Sequence, residues 1–216
     1  MNREKQNLSD LIKSKKRVAD HGEVFTSEWL VMDMLDLVKD ESSRIESRFL
    51  EPACGSGNFL IPVLQQKLAS ATRLYGTSEF EFLHYSFLGL MSIYGIELLT
   101  DNAADCRGNL LEIFTTHLKI STESMETEAA KAILETNIVE GDALTMQDHS
   151  GQPIIFSEWS YLGKGKFNRR DFQYDELLQI SSFGEDTLFA SMKPDEIFAA
   201  VKDYPPFKIT EIAERA

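Results

Sequence analysis

Phe49-Leu50-Glu51-Pro52-Ala53-Cys54-Gly55-Ser56-Gly57-Asn58-Phe59 reads as a strand end that runs through a tight turn into a helix. Phe49 and Leu50 close an apolar strand, and Pro52, with no N–H to donate, ends its pairing. Gly55 and Gly57 let the backbone take positive φ and come close to a ligand. From about Asn58 onward, Phe59, Leu60, Val63, Leu64 and Leu68 recur at helical spacing. A helix that opens on a glycine turn presents free N–H groups, which attract carboxylate or phosphate. The same turn can also be a corner that only packs, so its meaning rests on what surrounds it.

The chain has 216 residues, 43% of them hydrophobic and 10% aromatic, enough for one domain with a substantial core. No apolar run approaches the ~18 residues of a membrane helix, and Met1-Asn2-Arg3-Glu4 does not open a signal peptide. Cys54 and Cys106 lack zinc-type spacing and are read as reduced thiols of a cytoplasmic protein. The net charge of −13 weighs against nucleic acid as a partner, because phosphate contacts need Lys and Arg. Whole-chain charge does not locate a site, however. Basic residues cluster at Lys13, Lys15, Lys16 and Arg17 and again at Lys164, Lys166, Arg169 and Arg170.

Outward from the glycine turn, three regions are expected: a polar N-terminal segment over 1–20, a core over 21–148 and a C-terminal extension over 149–216. The first carries Leu8, Leu11 and Ile12 as a short amphipathic helical stretch. Its basic run fits a solvated helix face more readily than a DNA contact. A helix over 28–39 follows, capped by Thr26 or Ser27. After the helix at 59–68, a buried apolar and aromatic helix is expected over 79–90, with His84 and Tyr85 as packing residues. A strand over 90–96 then ends at Glu97. A helix over 100–118, a polar loop over 121–127 and a helical turn or two over 129–134 lead to a β-branched strand, Asn137 to Leu144, containing Gly141-Asp142. Strands ending at Glu51, Glu97 and Asp142 and separated by helices define an α/β fold with a parallel sheet. Such sheets bind ligands at their carboxyl edge, where a carboxylate accepts two hydrogen bonds from ribose hydroxyls. Glu97 follows Glu51 at more than the about 20 residues of a simple dinucleotide fold, and the inserted helix over 79–90 accounts for the excess.

The full string Glu51-Pro52-Ala53-Cys54-Gly55-Ser56-Gly57-Asn58-Phe59 resembles motif I of S-adenosylmethionine-dependent DNA adenine-N6 methyltransferases of restriction-modification type. Gly22-x-Val24-Phe25-Thr26 before a helix is similar to their motif X, Tyr94-Gly95-Ile96-Glu97 to motif II, and Gly141-Asp142 to motif III. The resemblance covers residues 20–146 and implies a Rossmann-like methyltransferase sheet with S-adenosylmethionine as cofactor. By that resemblance, Phe25 and Thr26 lie near the methionine group, which Glu51, Pro52, Ala53, Gly55, Gly57, Asn58 and Phe59 hold. Glu97 takes the ribose, Leu98 or Ile96 lies against the adenine, and Asp142, with Ala143 beside it, accepts from the adenine amino group.

The family pattern breaks at motif IV, an Asn- or Asp-Pro-Pro-Tyr or Phe sequence that holds the flipped target adenine. Asp203-Tyr204-Pro205-Pro206-Phe207 is the nearest string, with Tyr where the polar residue belongs and Asp displaced by one. It reads better as an extended surface segment. Beyond 150, one strand is expected over 153–161, a basic glycine-containing loop over 163–170 and a short helix or strand over 171–178. Trp159, Tyr161, Lys164, Lys166, Phe167, Arg169 and Arg170 are candidates to track a nucleic-acid backbone, to meet a protein partner or to form plain exposed loop. The sheet is therefore expected to be incomplete in this chain, exposing an edge of its first strand. A second polypeptide would supply motif IV and recognition of double-stranded DNA, no catalytic residue is assigned here, and no metal is required. The alternatives are a methyltransferase acting on RNA or protein, or a non-catalytic scaffold subunit.

Overall fold

The computed structural model describes residues 12–21, 24, 26–174 and 200–214. Leu8, Leu11, Gly22, Phe25 and Leu178 lie outside that range. The fold is α/β with parallel and antiparallel pairing. Strands β1 (Phe49–Glu51), β2 (Ile93–Glu97) and β3 (Ile138–Asp142) run parallel in the order β1-β2-β3, and β4 (Gln147–Asp148) pairs antiparallel with β3. The pairing sets Glu51 beside Gly95 and Glu97 beside Glu140. All of β2 is buried, as a central strand requires, whereas β1 pairs only with β2 among the described residues.

Each parallel connection carries two helices, and each helix is dictated locally. Between β1 and β2 lie α4 (Leu60–Tyr75) and α5 (Glu79–Met91). Leu60, Val63, Leu64, Leu68 and Ala71 on α4 are fully buried, the face expected from their spacing. Ser78 caps α5 by accepting from the Glu81 N–H at 3.3 Å. Between β2 and β3 lie α6 (Thr100–Leu118) and α7 (Met125–Asn137). A loop and a short turn were expected where α7 stands. Ser124 caps it by accepting from the Thr127 N–H at 3.2 Å, and Ala129, Ala130, Ile133 and Leu134 give it a buried side. Ahead of the sheet come α1 (Lys15–His21), α2 (Glu28–Leu37) and the single turn α3 (Lys39–Ser42). Ser27 occupies the N-cap position of α2 but makes no side-chain capping bond.

A second sheet, in the order β5-β6-β7, is formed by β5 (Ile155–Gly163), β6 (Lys166–Gln173) and β7 (Lys202–Asp203). The region expected to be a basic loop is therefore mostly strand. The turn between β5 and β6 is made by Lys164 and Gly165 at φ 53° and 75°, positive values that suit a two-residue hairpin. The hairpin sits across the amino-terminal ends of β2 and β3. Tyr94 Oη donates to the Ser157 carbonyl at 2.8 Å and Trp159 Nε1 to Asn137 Oδ1 at 2.9 Å. Asn137 Nδ2 in turn donates to the carbonyls of Met91 and Ile93.

Most of the late basic and aromatic residues are committed to this packing. Phe167 is fully buried and Trp159 nearly so. Arg169 lies 2.7 Å from Asp171, whose other bonds come from Ser157 and Tyr204. Arg170 pairs with Glu158 at 2.6 Å. A nucleic-acid track through Trp159, Phe167, Arg169 and Arg170 is thus not formed, because ion pairs and core contacts occupy them; Lys164 and Lys166 are exposed. The Asp203–Phe207 string is strapped along β6. Tyr204 N–H donates to Arg169 and Phe207 exchanges two backbone bonds with Phe167, which leaves Phe207 buried and the two prolines exposed.

Lys67 on α4 is among the largest fully buried side chains of the described residues. Its Nζ donates to the carbonyls of Arg44 (2.8 Å), Ile45 (3.1 Å) and Ser47 (2.5 Å), so three donors of an ammonium meet three acceptors. Burial pulls its pKa down to about 7, and the Glu46 and Glu41 carboxylates oppose that pull. The bonds fasten the segment that feeds β1. Lys67→Met keeps most of the volume and leaves those carbonyls without their donor, at about 1–3 kcal/mol for each group that water cannot reach. Urea unfolding should therefore show a loss of about 3 kcal/mol, and an unchanged midpoint would contradict this role.

Candidate functional site

With the hairpin over one end of the parallel strands, the other end opens into a cleft of about 650 Å³. Its floor is the glycine turn. Cys54 N–H donates to the Ile96 carbonyl at 3.0 Å, carrying β1 pairing one step further, and Gly57 N–H returns to the Cys54 carbonyl at 2.8 Å. Gly55 and Gly57 take φ of 54° and 96°. A Cβ on Gly95 would lie 2.8 Å from Cys54 Sγ, and one on Gly57 would lie 3.1 Å from Cys106 Sγ. The two glycines therefore make room for two thiols beneath the turn. A hydrogen bond with Cys106, then burial, pushes the Cys54 thiol far above its ordinary value, and both cysteines are free. Both are buried and pack beneath the turn.

Glu97 closes the turn from β2. Its Oε2 accepts from Gly55 N–H at 2.8 Å, and its Oε1 from Leu99 N–H at 3.0 Å and Asn102 Nδ2 at 3.4 Å. At the end of β3, Asp142 Oδ1 accepts from Leu144 N–H at 2.8 Å, a local turn that leaves Oδ2 directed elsewhere. Glu51 is half-buried at the end of β1 and makes one long contact, 3.4 Å, with Ala53 N–H. Desolvation raises its carboxyl above the ordinary value. A carboxylate so poorly compensated favours a cationic partner.

The candidate residues named from sequence mostly converge here. Thr26, Glu51, Pro52, Ala53, Gly55, Asn58 and Phe59 line the cleft, as do Glu97, Leu98, Asp142 and Ala143. Gly57 does not; it is buried under the turn against Cys106. Phe25 lies outside the described residues. Met34 of α2, Leu99, Asn102 and Leu144 also line the cleft and were not anticipated. Only Asn102 had a readable signal, a polar residue in the first turn of the helix that follows an acidic strand end. Beside the cleft, Lys13 bonds Asp105 at 2.6 Å and Arg17 bonds Asp101 at 2.6 Å, which ties the N-terminal basic run to the start of α6. The Arg17 hydrogen bond leads in holding Asp101 at about 2.

Comparison of the chain with protein-family models, with curated proteins and with solved structures finds no match. Fold and site together define an α/β protein with a ligand-sized cleft rimmed by three carboxylates at the carboxyl ends of parallel strands.

Glu97→Gln turns one of two acceptors into an NH₂ group facing a backbone N–H. The variant should lose about 1–3 kcal/mol of stability, read as a lower urea midpoint. An unaltered midpoint would mean that Glu97 does not hold the turn.

Proposed function

We propose that this chain binds S-adenosylmethionine and is the cofactor-binding half of an adenine-N6 DNA methyltransferase of restriction-modification type. Its Rossmann-like methyltransferase sheet is then completed by a second polypeptide. One observation carries the reading: residues from the segments that resemble motifs X (Val24 and Thr26), I, II and III line a single cleft. The donor set fits the cofactor. Glu97 Oε2 keeps a lone pair beyond its bond from Gly55 N–H for a ribose hydroxyl, whereas Oε1 already accepts from Leu99 and Asn102. Asp142 Oδ2 offers an acceptor to an adenine amino group, and Glu51 suits the positive charge of the methionine part. The cofactor supplies an activated methyl group on its sulfonium. The chain's own residues bind and orient that group in a cleft shielded on one side by Phe59 and Leu98.

The groups that would hold a target adenine are not in that cleft. Asp203–Phe207 is strapped to β6 beside the hairpin, none of it lines the cleft, and the proposed partner therefore carries motif IV and most of the DNA contacts. The lateral edge of β1, with Leu50 39% exposed beside it, is the natural seam for that partner. The net charge of −13 agrees with leaving phosphate contacts to another chain.

Calorimetric titration of the chain with S-adenosylmethionine should give a saturable heat that Asp142→Ala weakens by about tenfold, the cost of one charge-assisted bond. No heat at millimolar ligand would point to the scaffold alternative and end this reading. Tritiated methyl transfer to duplex DNA should be absent with the lone chain. Robust adenine methylation by it would overturn the division between two chains while sparing the cofactor site, and transfer only to RNA or protein would change the substrate class.

Affinity should also depend on pH. Free Glu51 has a raised pKa, and a cation beside it favours the ionised form, so binding releases a proton near that pKa. Affinity then rises with pH through the raised Glu51 value and levels off above it. Glu51→Gln should flatten the rise in titrations run across that window.

A further inference from the structure

A second cleft, of about 520 Å³, lies at the opposite end of the parallel sheet and takes no part in the site above. Its walls are Tyr75 at the end of α4, Tyr85 and Leu88 on α5, and Trp159 and Tyr161 on β5. Tyr75 and Tyr85 stack at 3.6 Å, and Tyr161 meets Tyr85 edge-on at 5.4 Å.

One side of this cleft is a strand edge. β5 is the outer strand of its sheet, and β6 pairs with it on one side only. Phe167, Arg169 and Asp171 turn their backbone groups toward the β7 side of β6. By antiparallel alternation, Asn168 and Arg170 bond to β5 through Ser160 and Glu158, and Ser157, Trp159 and Tyr161 point theirs outward. The Ser157 carbonyl is taken by Tyr94 Oη, which closes one end of the edge. Past that point the N–H and C=O groups of Trp159 and Tyr161 face the cleft without a partner among the described residues. The usual protections of an edge are missing too. Ile155–Gly163 contains no Lys and no Pro, and its one charge, Glu158, is already held by Arg48 at 2.5 Å and Arg170 at 2.6 Å.

We infer that this cleft binds an extended peptide, which adds as a strand to the Trp159–Tyr161 edge of β5 and lays an apolar side chain against the contacting rings of Tyr85 and Tyr161. Main-chain bonds to the edge supply affinity, and the aromatic walls select that side chain. A peptide matches the whole lining where a small ligand does not. Its alternating N–H and C=O groups complement the outward groups of β5, and its side-chain repeat of two matches the spacing of Trp159 and Tyr161. Glu46 and Arg48 also line the cleft and give an acceptor and a donor, respectively, for polar flanking residues. The inference is independent of the methyltransferase reading.

The test uses the full chain and a library of acetylated, fluorescein-labelled pentapeptides. Phe, Leu, Ile or Val occupies the second and fourth positions and Ser or Thr the others, and binding is read by fluorescence polarisation. Saturable binders are expected, and amide exchange at Trp159 and Tyr161 should slow when they bind. Tyr85→Ala should weaken the best binder by about tenfold, as loss of an aromatic anchor does, while Leu37→Ala, at an α2 residue 86% exposed and lining neither cleft, should leave it unchanged. N-methylation of alternate peptide amides should abolish binding by wild-type protein. A library without binders, or an N-methylated peptide that binds equally well, would overturn strand addition. Equal binding of phenethylammonium would instead mark a small-molecule site and overturn it as well.

Discussion

The bond from Gly55 N–H to the Glu97 carboxylate is the joint on which the parallel half of the molecule turns. It ties the turn after β1 to the end of β2, and through Leu99 N–H the same carboxylate fixes the entry to α6. The joint closes only because Gly55 accepts positive φ and because Gly95 leaves room for the Cys54 thiol below. A β-carbon on Gly95 would lie 2.8 Å from Cys54 Sγ, and a turn so displaced from β2 would take from Glu97 Oε2 the one donor it has among the described residues. The acidic strand end is therefore architectural before it is functional. In the proposed enzyme it does both.

The opposite end of the strands is held by different means. Asn137 acts as a bracket, donating to two carbonyls at the start of β2 and accepting from the Trp159 indole. Hairpin, sheet and α7 thereby enter one continuous core. This asymmetry places carboxylates and backbone donors at one end of the sheet and aromatic rings at the other. Packing at this second end also explains why Arg169 and Arg170, unlike the exposed Lys164 and Lys166, do not present a positive face. Arg169 shares Asp171 with Ser157 and Tyr204 and stacks on Trp159 and Tyr204, an arrangement that needs its charge inside the fold.

What could be read in the sequence was the part governed by local rules. Strand ends at Glu51, Glu97 and Asp142, the amphipathic stripe of α4 and the positive-φ glycines follow from periodicity and backbone sterics. The loop expected before 129 became part of α7 because the Ser124 cap and an alanine face outweigh the acidic and polar residues that look like loop. β6 was missed for a related reason. Lys166, Arg169, Arg170 and Asp171 hide a strand alternation that reappears once Arg169 pairs with Asp171 along the strand and Arg170 with Glu158 across it. Gly57 was assigned to the ligand, yet its need for a bare α-carbon comes from Cys106, a residue far along the chain. Long-range contacts of that kind, like the burial of Lys67 under a loop, leave no trace in local pattern.

The tether between α1 and α6 has a consequence of its own. Asp101 and Asp105 have side chains that are 54% and 51% exposed, so their bonds to Arg17 and Lys13 lie within reach of mobile counterions. At 0.1 M salt the screening length is about 10 Å, and it shrinks to about 3 Å at 1 M. The grip of the first helix on the rim of the carboxylate-lined cleft is thus set by the ionic composition of its surroundings, more than by anything in the core beneath it.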